Sequence, residues 1–487
     1  MTIHDEWETI IGLEVHVQLN TETKMFSRTP NHFGDEPNTN VGLVDSGQPG
    51  TLPILNKAAV KKAIDLGCGL HAEIPSFSAF DRKSYFYPDS PRNYQITQFF
   101  HPIIKGGYVM GNVDGVMKKF PIREAHLEDD AGILRHFSSF TGVDYNRAGA
   151  PLIEIVTEPC ITCGKEASAF ASALRLILIY LNVSNGNMEE GSMRMDVNIS
   201  VRPRGEKELR NKTEIKNMNS FSNMELAIEA EVKRQIAAYT AAPNTPHKEV
   251  IPSTTMRFDL PTKQTFVIRS KVGAEDYRYF PEPDLPPLCI SREQIEEAKR
   301  NLPELPEQRH ARYIEKLGLS EYQATLLVHD KALADYFEQG LTECKNPKAL
   351  CNWITVEFIG KLKDTGKNLL DITLPAKHVT KLVNLIEEKI LTGKVAKILA
   401  DEMIKFPHKD PKELMQENPD LIPLQDTAEI ESIVQAVLDK NPQSIIDYNK
   451  GISKAFNFLI GQIMQATKGK ASPDIVQKIL LKKLTNT

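Results

Sequence analysis

The feature that most restricts how this chain can fold is the alternation of apolar and polar residues in IGLEVHVQL, residues 11–19. Apolar side chains at every second position predict a β-strand with one buried face. The opposite face then carries Glu14 and His16, about 7 Å apart. Taken alone, such a polar face is typical of an antiparallel sheet with one side in water. The predicted buried residues are Ile11, Leu13, Val15, Val17 and Leu19.

Four further segments place acidic side chains in turns or at the polar positions of predicted strands. Neighbouring carboxylates repel each other unless they are protonated, paired with cations or bound to metal. Carboxylates with a histidine and without thiolates suit Mg²⁺ or Mn²⁺, and Mg²⁺ is usually held together with nucleotide phosphates. The pattern therefore predicts phosphoryl transfer. The acids are Glu128, Asp129 and Asp130 in HLEDDAG, Glu154 in PLIEIVTEP, Asp196 in MRMDVNISV and Glu214 in KTEIKN.

The common nucleotide-binding loops are absent from the sequence. No segment matches G-x-x-x-x-G-K-[ST], and GCGLHA at residues 67–72 lacks the third glycine and follows a predicted helix rather than a strand. Metal ions and basic side chains would then have to meet the phosphate charge. The basic candidates are Arg82, Lys83, Arg194 and Lys216.

An aromatic and basic segment, FDRKSYFYPDSPRNYQITQF at residues 80–99, is a further candidate. Its composition predicts an irregular loop that stacks on bases and pairs with phosphates. The alternative is an aromatic loop packed on its own domain.

Composition excludes several classes of protein. Hydrophobic residues make up 41% and charged residues 25% of the sequence, as in ordinary globular proteins. A length of 487 residues predicts more than one hydrophobic core. A net charge of −5 argues against a protein that only coats nucleic acid. No window is apolar enough to span a membrane, and the acidic start MTIHDEWE is unlike a targeting signal, so we expect a cytoplasmic protein. The pair Cys160 and Cys163 lacks the second pair that a structural zinc site needs.

Two proline-rich stretches, residues 280–309 and 406–423, divide the sequence. Strand-like alternation is frequent before the first stretch, and helical spacing dominates after it. The expected fold class is α+β, with a large domain at residues 1–290, a helical domain at 291–407 and a small helical tail domain at 408–487.

The tail is rich in lysine. From Gly451 onward the sequence has six lysines and one aspartate, and Ser472 with Pro473 predicts a helix start after the loop TKGKAS. These lysines form either a solvated face or a contact surface for a phosphate backbone. The candidates for tRNA contact are Lys454, Lys468 and Lys470, with Lys478, Lys482 and Lys483 adding charge.

Several long strings, in order and over essentially the whole chain, resemble the GatB family, the B subunits of bacterial aspartyl/glutamyl-tRNA amidotransferases. The resemblance implies a glutamine-synthetase-like antiparallel-sheet cradle that uses ATP and Mg²⁺, with one or two metal ions, to phosphorylate the side chain of mischarged Glu-tRNA(Gln) or Asp-tRNA(Asn). It also implies a heterotrimer with an amidase (glutaminase) A subunit, which supplies ammonia through a channel, and a small C subunit. The strings are IGLEVHVQL, FDRKSYFYPDSPRNYQI, HLEDDAG, NRAGAPLIEIVTEP, EEGSMRMDVNISVR, EIKNMNSF, DYRYFPEPDL and ATKGKASP.

The same resemblance implies roles for individual residues. Metal ligands map onto Glu14, Glu128 and Glu214 as one group, and onto His16, Asp129 and Glu154 as a second. Glu14, Glu128 and Lys216 would be catalytic. Residues that hold or orient the nucleotide would be Arg82, Lys83, Arg194, Asp196 and Asn198.

Two rival functions stay open from sequence. One is a tRNA-binding scaffold without catalysis, whose acids only balance its basic residues. The other is a glutamine-synthetase-like ligase for a free amino acid, which would have little use for the lysine-rich tail. The choice between Glu-tRNA(Gln) and Asp-tRNA(Asn) also stays open.

Overall fold

The computed structural model describes residues 6–270, 274–422, 424, 426–451 and 453–485. The chain forms two compact units, Met1–Glu307 and Gln308–Thr487. Strands and helices both occur in the first unit, so the predicted α+β class is confirmed. The predicted boundary after residue 290 lies inside the first unit and the one after residue 407 inside the second, and the division into three domains stays a prediction.

The first unit combines strands, several helices and a 3₁₀ turn at Ala274–Tyr277. The strands are β1 (Trp7–Gln18), β2 (Phe77–Ser84), β3 (Tyr94–His101), β4 (Ile104–Lys105), β5 (Tyr108–Val113), β6 (Val116–Asp129), β7 (Ile133–His136), β8 (Thr141–Asp144), β9 (Pro151–Thr157), β10 (Met193–Pro203), β11 (Thr213–Met218), β12 (Thr254–Asp259), β13 (Gln264–Ser270), β14 (Phe280–Pro281) and β15 (Leu288–Cys289). The helices are α1 (Lys57–Gly69), α2 (Gly164–Tyr180), α3 (Phe221–Ala241), α4 (His247–Val250) and α5 (Arg292–Arg300).

A nine-stranded sheet is the centre of this unit. Its order is β13-β12-β11-β10-β1-β9-β6-β4, with β5 paired to β6. Neighbours are antiparallel except β11 and β12, which are parallel. The opening strand β1 lies in the middle, between β9 and β10, so the polar residues of all three strands share one face.

The other face of the sheet is the hydrophobic core predicted from the alternation in β1. Helix α3 packs on β10 and β11, while α2 packs on β5 and on α3. Burial of this face drives formation of the sheet, because apolar area removed from water contributes about 25 cal/mol per Å². The fully buried residues include Ile11, Leu13, Val15, Val17, Ile153, Ile155, Met195, Val197 and Ile199.

The aromatic segment at residues 80–99 is more regular than predicted. Strands β2 and β3 pair antiparallel, and only residues 85–93 form an irregular connection. Strands β14 and β15 also pair with β2, completing a second, four-stranded sheet. The prediction of one continuous loop was wrong because Phe80, Ile96 and Thr97 are buried as strand residues.

Helices form the second unit. Among its described residues, the hydrophobic cluster of the tail helices includes Ile430, Val434, Leu459, Ile463 and Leu480. No helix in the described ranges combines the length and apolar character needed to cross a lipid bilayer. The helices after α5 are α6 (Pro306–Glu315), α7 (Glu321–Val328), α8 (Lys331–Leu341), α9 (Pro347–Asn352), α10 (Ile359–Leu362), α11 (Ala376–Glu387), α12 (Gly393–Lys405), α13 (Pro411–Glu417), α14 (Thr427–Lys440), α15 (Pro442–Asn449), α16 (Ser453–Ala466) and α17 (Pro473–Thr485), with a π-helical turn at Trp353–Phe358 and 3₁₀ turns at Lys363–Thr365 and Pro419–Leu421.

A buried carboxylate ties α3 to the sheet. Glu231 is fully buried and accepts hydrogen bonds from Thr213 Oγ1 of β11 and Thr265 Oγ1 of β13, both at 2.7 Å. It also accepts bonds from the Arg234 guanidinium at 2.7 and 2.8 Å and from Gln235 Nε2 at 2.9 Å. Burial alone would raise the pKa of Glu231, but these donors outweigh it and lower the pKa below its ordinary value.

We expect Glu231→Gln to destabilise the first unit by about 2–3 kcal/mol. This is less than the loss expected for breaking a fully buried ion pair, because the Arg234 side chain is 36% exposed. Since the folded chain holds this carboxylate with a lowered pKa, the stabilisation is complete above the ordinary glutamate pKa near 4.5 and is lost as the pH falls further. Urea unfolding at pH 7 and below pH 4.5 checks both points, and the variant should lose less stability on acidification. Exposed Glu229 on the same helix, changed to Gln, is the matched control.

Candidate active site

The register of three central strands brings the predicted polar residues into one row. Glu14 on β1 lies opposite Asp196 on β10, and His16 lies opposite Glu154 on β9. Glu154 in turn lies opposite His126 on β6. Since side chains opposite each other in an antiparallel pair are about 5 Å apart, the row is dense in charge.

One cluster, called here the histidine cluster, consists of His16, Glu128 and Glu154. One ligand atom from each lies within 4.8 Å of the others. His16 Nε2 is 3.8 Å from Glu128 Oε1 and 3.5 Å from Glu154 Oε2. Glu128 also accepts a hydrogen bond from Thr97 Oγ1 at 3.2 Å, which links it to the second sheet.

The second cluster, called here the acidic cluster, consists of Glu14, Asp196 and Glu214, whose ligand atoms also lie within 4.8 Å of one another. Asn198 Nδ2 donates to Glu14 Oε1 at 2.9 Å and thereby orients it. Lys216 Nζ lies 2.8 Å from Asp196 Oδ2 and 3.6 Å from Glu214 Oε1.

Cations offset the repulsion within the histidine cluster. His126 Nε2 lies 3.1 Å from Glu154 Oε2 and 3.8 Å from Glu128 Oε2. Burial alone would lower the pKa of His126, but the two carboxylates outweigh burial and raise it to about 10. Burial would raise the pKa of Glu154, yet His16 and His126 hold it far below its usual range. The pKa of Lys83 is also raised, because Glu128 and Glu154 outweigh the burial that would lower it.

Lys216 is the cation that offsets repulsion among the carboxylates of the acidic cluster. Burial would lower the pKa of Lys216, but Asp196 and Glu214 outweigh burial and raise it above the ordinary lysine value. Burial would raise the pKa of Asp196, and the nearby Lys216 ammonium lowers it instead. This lysine is therefore a fixed cation between two acids.

The structure groups the acids differently from the resemblance, and the assignment of metal ligands stays a prediction. Glu128 lies with His16 and Glu154, and Glu14 lies with Asp196 and Glu214, whereas the resemblance implied Glu14, Glu128 and Glu214 as one group and Asp129 in the other. The reason is strand register, because the pairing of β6 with β9 sets His126 opposite Glu154 and Glu128 two residues farther along the same face of β6.

Asp129 is not a member of either cluster. Asp129 is the last residue of β6, and its side chain lies against β3. There its carboxylate pairs with the Arg92 guanidinium and accepts a hydrogen bond from the Ile96 backbone N–H at 3.1 Å. Burial raises the pKa of Asp129 to about 6, even though Arg92 opposes that shift.

A cavity of about 230 Å³ lies over this polar face. Members of both clusters border it, together with three of the predicted phosphate-binding cations, Lys83, Arg194 and Lys216. Arg82 does not line it, because alternation on β2 sends Lys83 toward the cavity and Arg82 away. The Arg82 guanidinium instead pairs with Glu282 at 2.6 Å and with Asp284 at 2.8 Å.

Asp130 was predicted as one of the acids, but its partners and other cavity residues were missed from sequence. Asp130 accepts from Arg194 at 3.0 Å and lies 3.3 Å from Arg147 Nε, so it holds two guanidinium groups, of which that of Arg194 lines the cavity. Arg269 and Tyr277 line the cavity from strands and turns far along the chain. The strings NRAGAP and DYRYFPEPDL, which contain Arg147 and Tyr277, offered a signal, whereas Arg269 lies in none of the strings that carry the resemblance.

The donor sets of both clusters fit a hard divalent cation. The acidic cluster offers only carboxylate oxygens, and the histidine cluster adds a single imidazole without any thiolate. Oxygen-rich sets of this kind suit Mg²⁺ and Mn²⁺. By contrast, Cys160 and Cys163 belong to no group of metal ligands among the described residues.

The tail lysines lie in the second unit. Lys454 is exposed near the start of α16, and Lys468 is exposed in the turn between α16 and α17. Lys470 is half-buried, and its Nζ donates to the Pro419 carbonyl at 2.9 Å. Lys454 and Lys468 are therefore the more accessible of the three.

Comparison with known proteins agrees with the site. The GatB/GatE catalytic domain model matches residues 9–296, and the GatB domain model matches residues 335–484. The chain belongs to the GatB/GatE family. The match to the GatB/GatE catalytic domain contains both clusters and the cavity, and the GatB domain match contains the three tail lysines.

Curated relatives of this GatB/GatE chain are similar over nearly its whole length. It is 56% identical over 483 residues to the B subunit of the aspartyl/glutamyl-tRNA(Asn/Gln) amidotransferase of Protochlamydia amoebophila, covering 99% of this chain and 98% of the relative. Identity to the B subunit of the same enzyme in Chlamydia abortus is 52% over 483 residues, with 99% of each chain covered. Identity to that of Chlamydia caviae is 53% over 482 residues, again with 99% of each covered.

The two clusters predict two separable cation sites. Glu128→Gln should weaken one Mn²⁺ site by more than the 10- to 100-fold typical of losing an outer-shell partner, and Asp196→Asn should weaken the other. Titration calorimetry with Mn²⁺ on each variant checks the stoichiometry. Asp129→Asn should leave both sites intact, as should Glu229→Gln on α3. Loss of a site in Asp129→Asn would restore the grouping implied by the family resemblance.

Proposed function

We propose that this chain is the subunit of an aspartyl/glutamyl-tRNA amidotransferase that activates the side-chain carboxylate of mischarged Glu-tRNA(Gln), Asp-tRNA(Asn) or both. ATP supplies a phosphoryl group, and ammonia then replaces phosphate to give Gln-tRNA(Gln) or Asn-tRNA(Asn). The observation that carries the proposal is the pair of clusters that meet on β1, beside a cavity with cationic walls. The amidotransferase names of the relatives support the same reaction.

The chemistry explains why phosphorylation comes first. A carboxylate is a poor electrophile because oxide would have to leave, whereas an acyl phosphate releases phosphate. In the first step a carboxylate oxygen attacks the γ-phosphorus of ATP as the bond from that phosphorus to ADP breaks. In the second step ammonia attacks the acyl carbon as the carbon–oxygen bond to phosphate breaks. Lys83, Arg194 and Lys216 border the cavity and supply positive charge for the phosphates.

The chain's own residues set up this reaction by position and charge. Glu14 and Glu128 belong to the two clusters on the central sheet, and Asn198 keeps Glu14 oriented. Bound in these clusters, Mg²⁺ or Mn²⁺ would neutralise phosphate charge as the phosphoryl group moves. Asp130 holds Arg194 at the cavity wall, so that this guanidinium does not have to be ordered when substrate binds.

The proposal includes partners and a location. Ammonia must arrive unprotonated, so a protected path from a glutaminase partner, the amidase of the complex, is chemically useful. We propose a heterotrimer with that amidase and a small third subunit, in the cytoplasm, on a glutamine-synthetase-like cradle. The relatives are named as B subunits, which supports membership of a multi-subunit enzyme.

The clusters favour this proposal over the two rivals. A scaffold has no need for acids gathered so closely on one sheet face. Metal-dependent ATP hydrolysis stimulated by charged tRNA in the assembled enzyme separates the two functions. A ligase for free amino acids would bind its substrate without the basic tail. Product analysis with each mischarged tRNA and with free glutamate or aspartate separates those functions.

Variants of the clusters should separate the two half-reactions of the enzyme. Glu14→Gln or Glu154→Gln should reduce amidation of mischarged tRNA by more than about 100-fold, because each removes a ligand from one cluster. Glutamine hydrolysis by the amidase partner should stay measurable. Amidation and glutaminase assays on the assembled enzyme check this, with Glu229→Gln as the control. Normal amidation in either variant would contradict the assigned role of the clusters.

The tail lysines should contribute to tRNA affinity by binding phosphates. Lys454→Ala with Lys468→Ala should raise the KM for charged tRNA and reduce the slope of log K against log[salt] by about one unit for each phosphate that is no longer neutralised. Lys363→Ala with Lys367→Ala, both outside the tail, is the matched control. An unchanged salt slope would show that the tail lysines are only solvated.

A further inference from the structure

A pair of exposed phenylalanines stands at the tip of the β7–β8 hairpin. Phe137 is 55% exposed and Phe140 is 61% exposed. Their ring centroids are 4.6 Å apart, with an angle of 23° between the planes, so the rings are stacked. Exposure of two large aromatic rings at the end of a short hairpin costs hydration free energy, and packing within the chain does not require it.

The hairpin holds these rings in a fixed arrangement. The Phe137 N–H donates to the Phe140 carbonyl at 2.9 Å, which closes a turn with Ser138 and Ser139 at its centre. A Cβ at Gly142 would lie 3.4 Å from Cε2 of Phe137, so that ring packs over the glycine on the partner strand. Phe140 then covers Phe137 and turns its own outer ring face to solvent.

The base of the hairpin is anchored at the cavity. Ala131, which precedes β7, lines the cavity. The Gly132 N–H donates to the Asp89 carbonyl at 2.7 Å, and Arg147 donates to the carbonyls of Ala131 at 3.0 Å and Gly132 at 2.7 Å. With about 3.3 Å of rise per residue, the four residues of β7 place the ring pair about 13 Å from this anchor.

We propose that Phe137 and Phe140 form a stacking platform for an unpaired nucleotide at the 3′ end of the charged tRNA, just before its aminoacyl group enters the cavity. The inference rests on the proposed function, which requires that a single-stranded 3′ end reach the two clusters. At about 3.4 Å per nucleotide of one strand, a span of about 13 Å corresponds to a few nucleotides. Aromatic side chains that stack on unstacked bases are the usual means of binding single-stranded nucleic acid.

The surroundings of the rings favour a nucleotide over a protein. Residues 135–141 are all exposed, and apart from the two rings they are polar or cationic. Arg135 lies two residues before Phe137 and therefore on the same face of the hairpin. Its guanidinium is 3.7 Å from Asp144, but the side chain is 57% exposed and so open to a phosphate next to a stacked base. Two rings alone are far smaller than the roughly 800 Å² that each partner buries in a stable protein interface.

The test compares tRNA binding and amidation by the assembled enzyme. Phe140→Leu keeps an apolar side chain but removes the flat ring, and Phe140→Trp keeps a ring. The probes are intact tRNA and the same tRNA shortened by its unpaired 3′ nucleotides. Wild type and Phe140→Trp should bind intact tRNA about 5- to 100-fold more tightly than shortened tRNA, and Phe140→Leu should lose that preference. The KM for charged tRNA should rise in parallel, while the KM for ATP should not change.

Controls separate this inference from the proposed function. Phe406→Leu, at another exposed phenylalanine, should behave as wild type. If wild type does not amidate mischarged tRNA, the proposed function fails. If wild type amidates it but Phe140→Leu keeps the preference for intact tRNA, the platform is overturned. It is also overturned if Phe140→Leu weakens the binding of intact and shortened tRNA equally. A variant that only impairs assembly with the other subunits would overturn it too, because that result would indicate a protein contact.

Discussion

Repulsion among carboxylates on one sheet face is the constraint around which the first unit is built. Glu128 and Glu154 lie close enough to share His16 and His126. Without nearby cations such a pair would be protonated or pushed apart. The chain instead places Lys216 and the half-buried Lys83 near the acids, and the pKa values of Glu128, Glu154 and Asp196 are lowered. The site is thus charged and ordered before any ligand binds, which is what catalysis by electrostatic preorganisation requires.

The apolar face makes this arrangement compatible with a stable fold. A row of charged side chains contributes little net stability by itself, because desolvation offsets most of the attraction. The opposite face of the same strands is completely buried beneath α2 and α3. Glu231 adds a polar anchor that fixes α3 to β11 and β13. Packing on one side therefore holds the backbone rigid while the other side carries the charge.

Strand β1, the fold class and most of the acids on the polar face could be predicted from the sequence, because each depends on local periodicity. Alternation alone located the two faces of β1 and so identified Glu14 and His16. The partition of the acids in the structure differs from the one that the resemblance implied, because it depends on register between strands that are distant in the sequence. Alternation could have separated Arg82 from Lys83, but only once residues 80–99 were read as containing a strand. Arg92 could not be assigned from sequence, since its partner Asp129 is supplied by a strand of the other sheet.

The position of β1 between β9 and β10 also has a consequence for the time at which the protein becomes functional. Glu14 is made early, but its neighbour Asp196 is added about 180 residues later, or roughly 10–40 s at ordinary rates of synthesis. Until β9 has been made both hydrogen-bonding edges of this apolar strand lack their final partners, and the edge that pairs with β10 lacks its partner for the whole interval. Such a strand is prone to pair with other chains. The nascent chain is therefore expected to need protection on the ribosome, and this need follows directly from threading the first strand into the middle of the sheet.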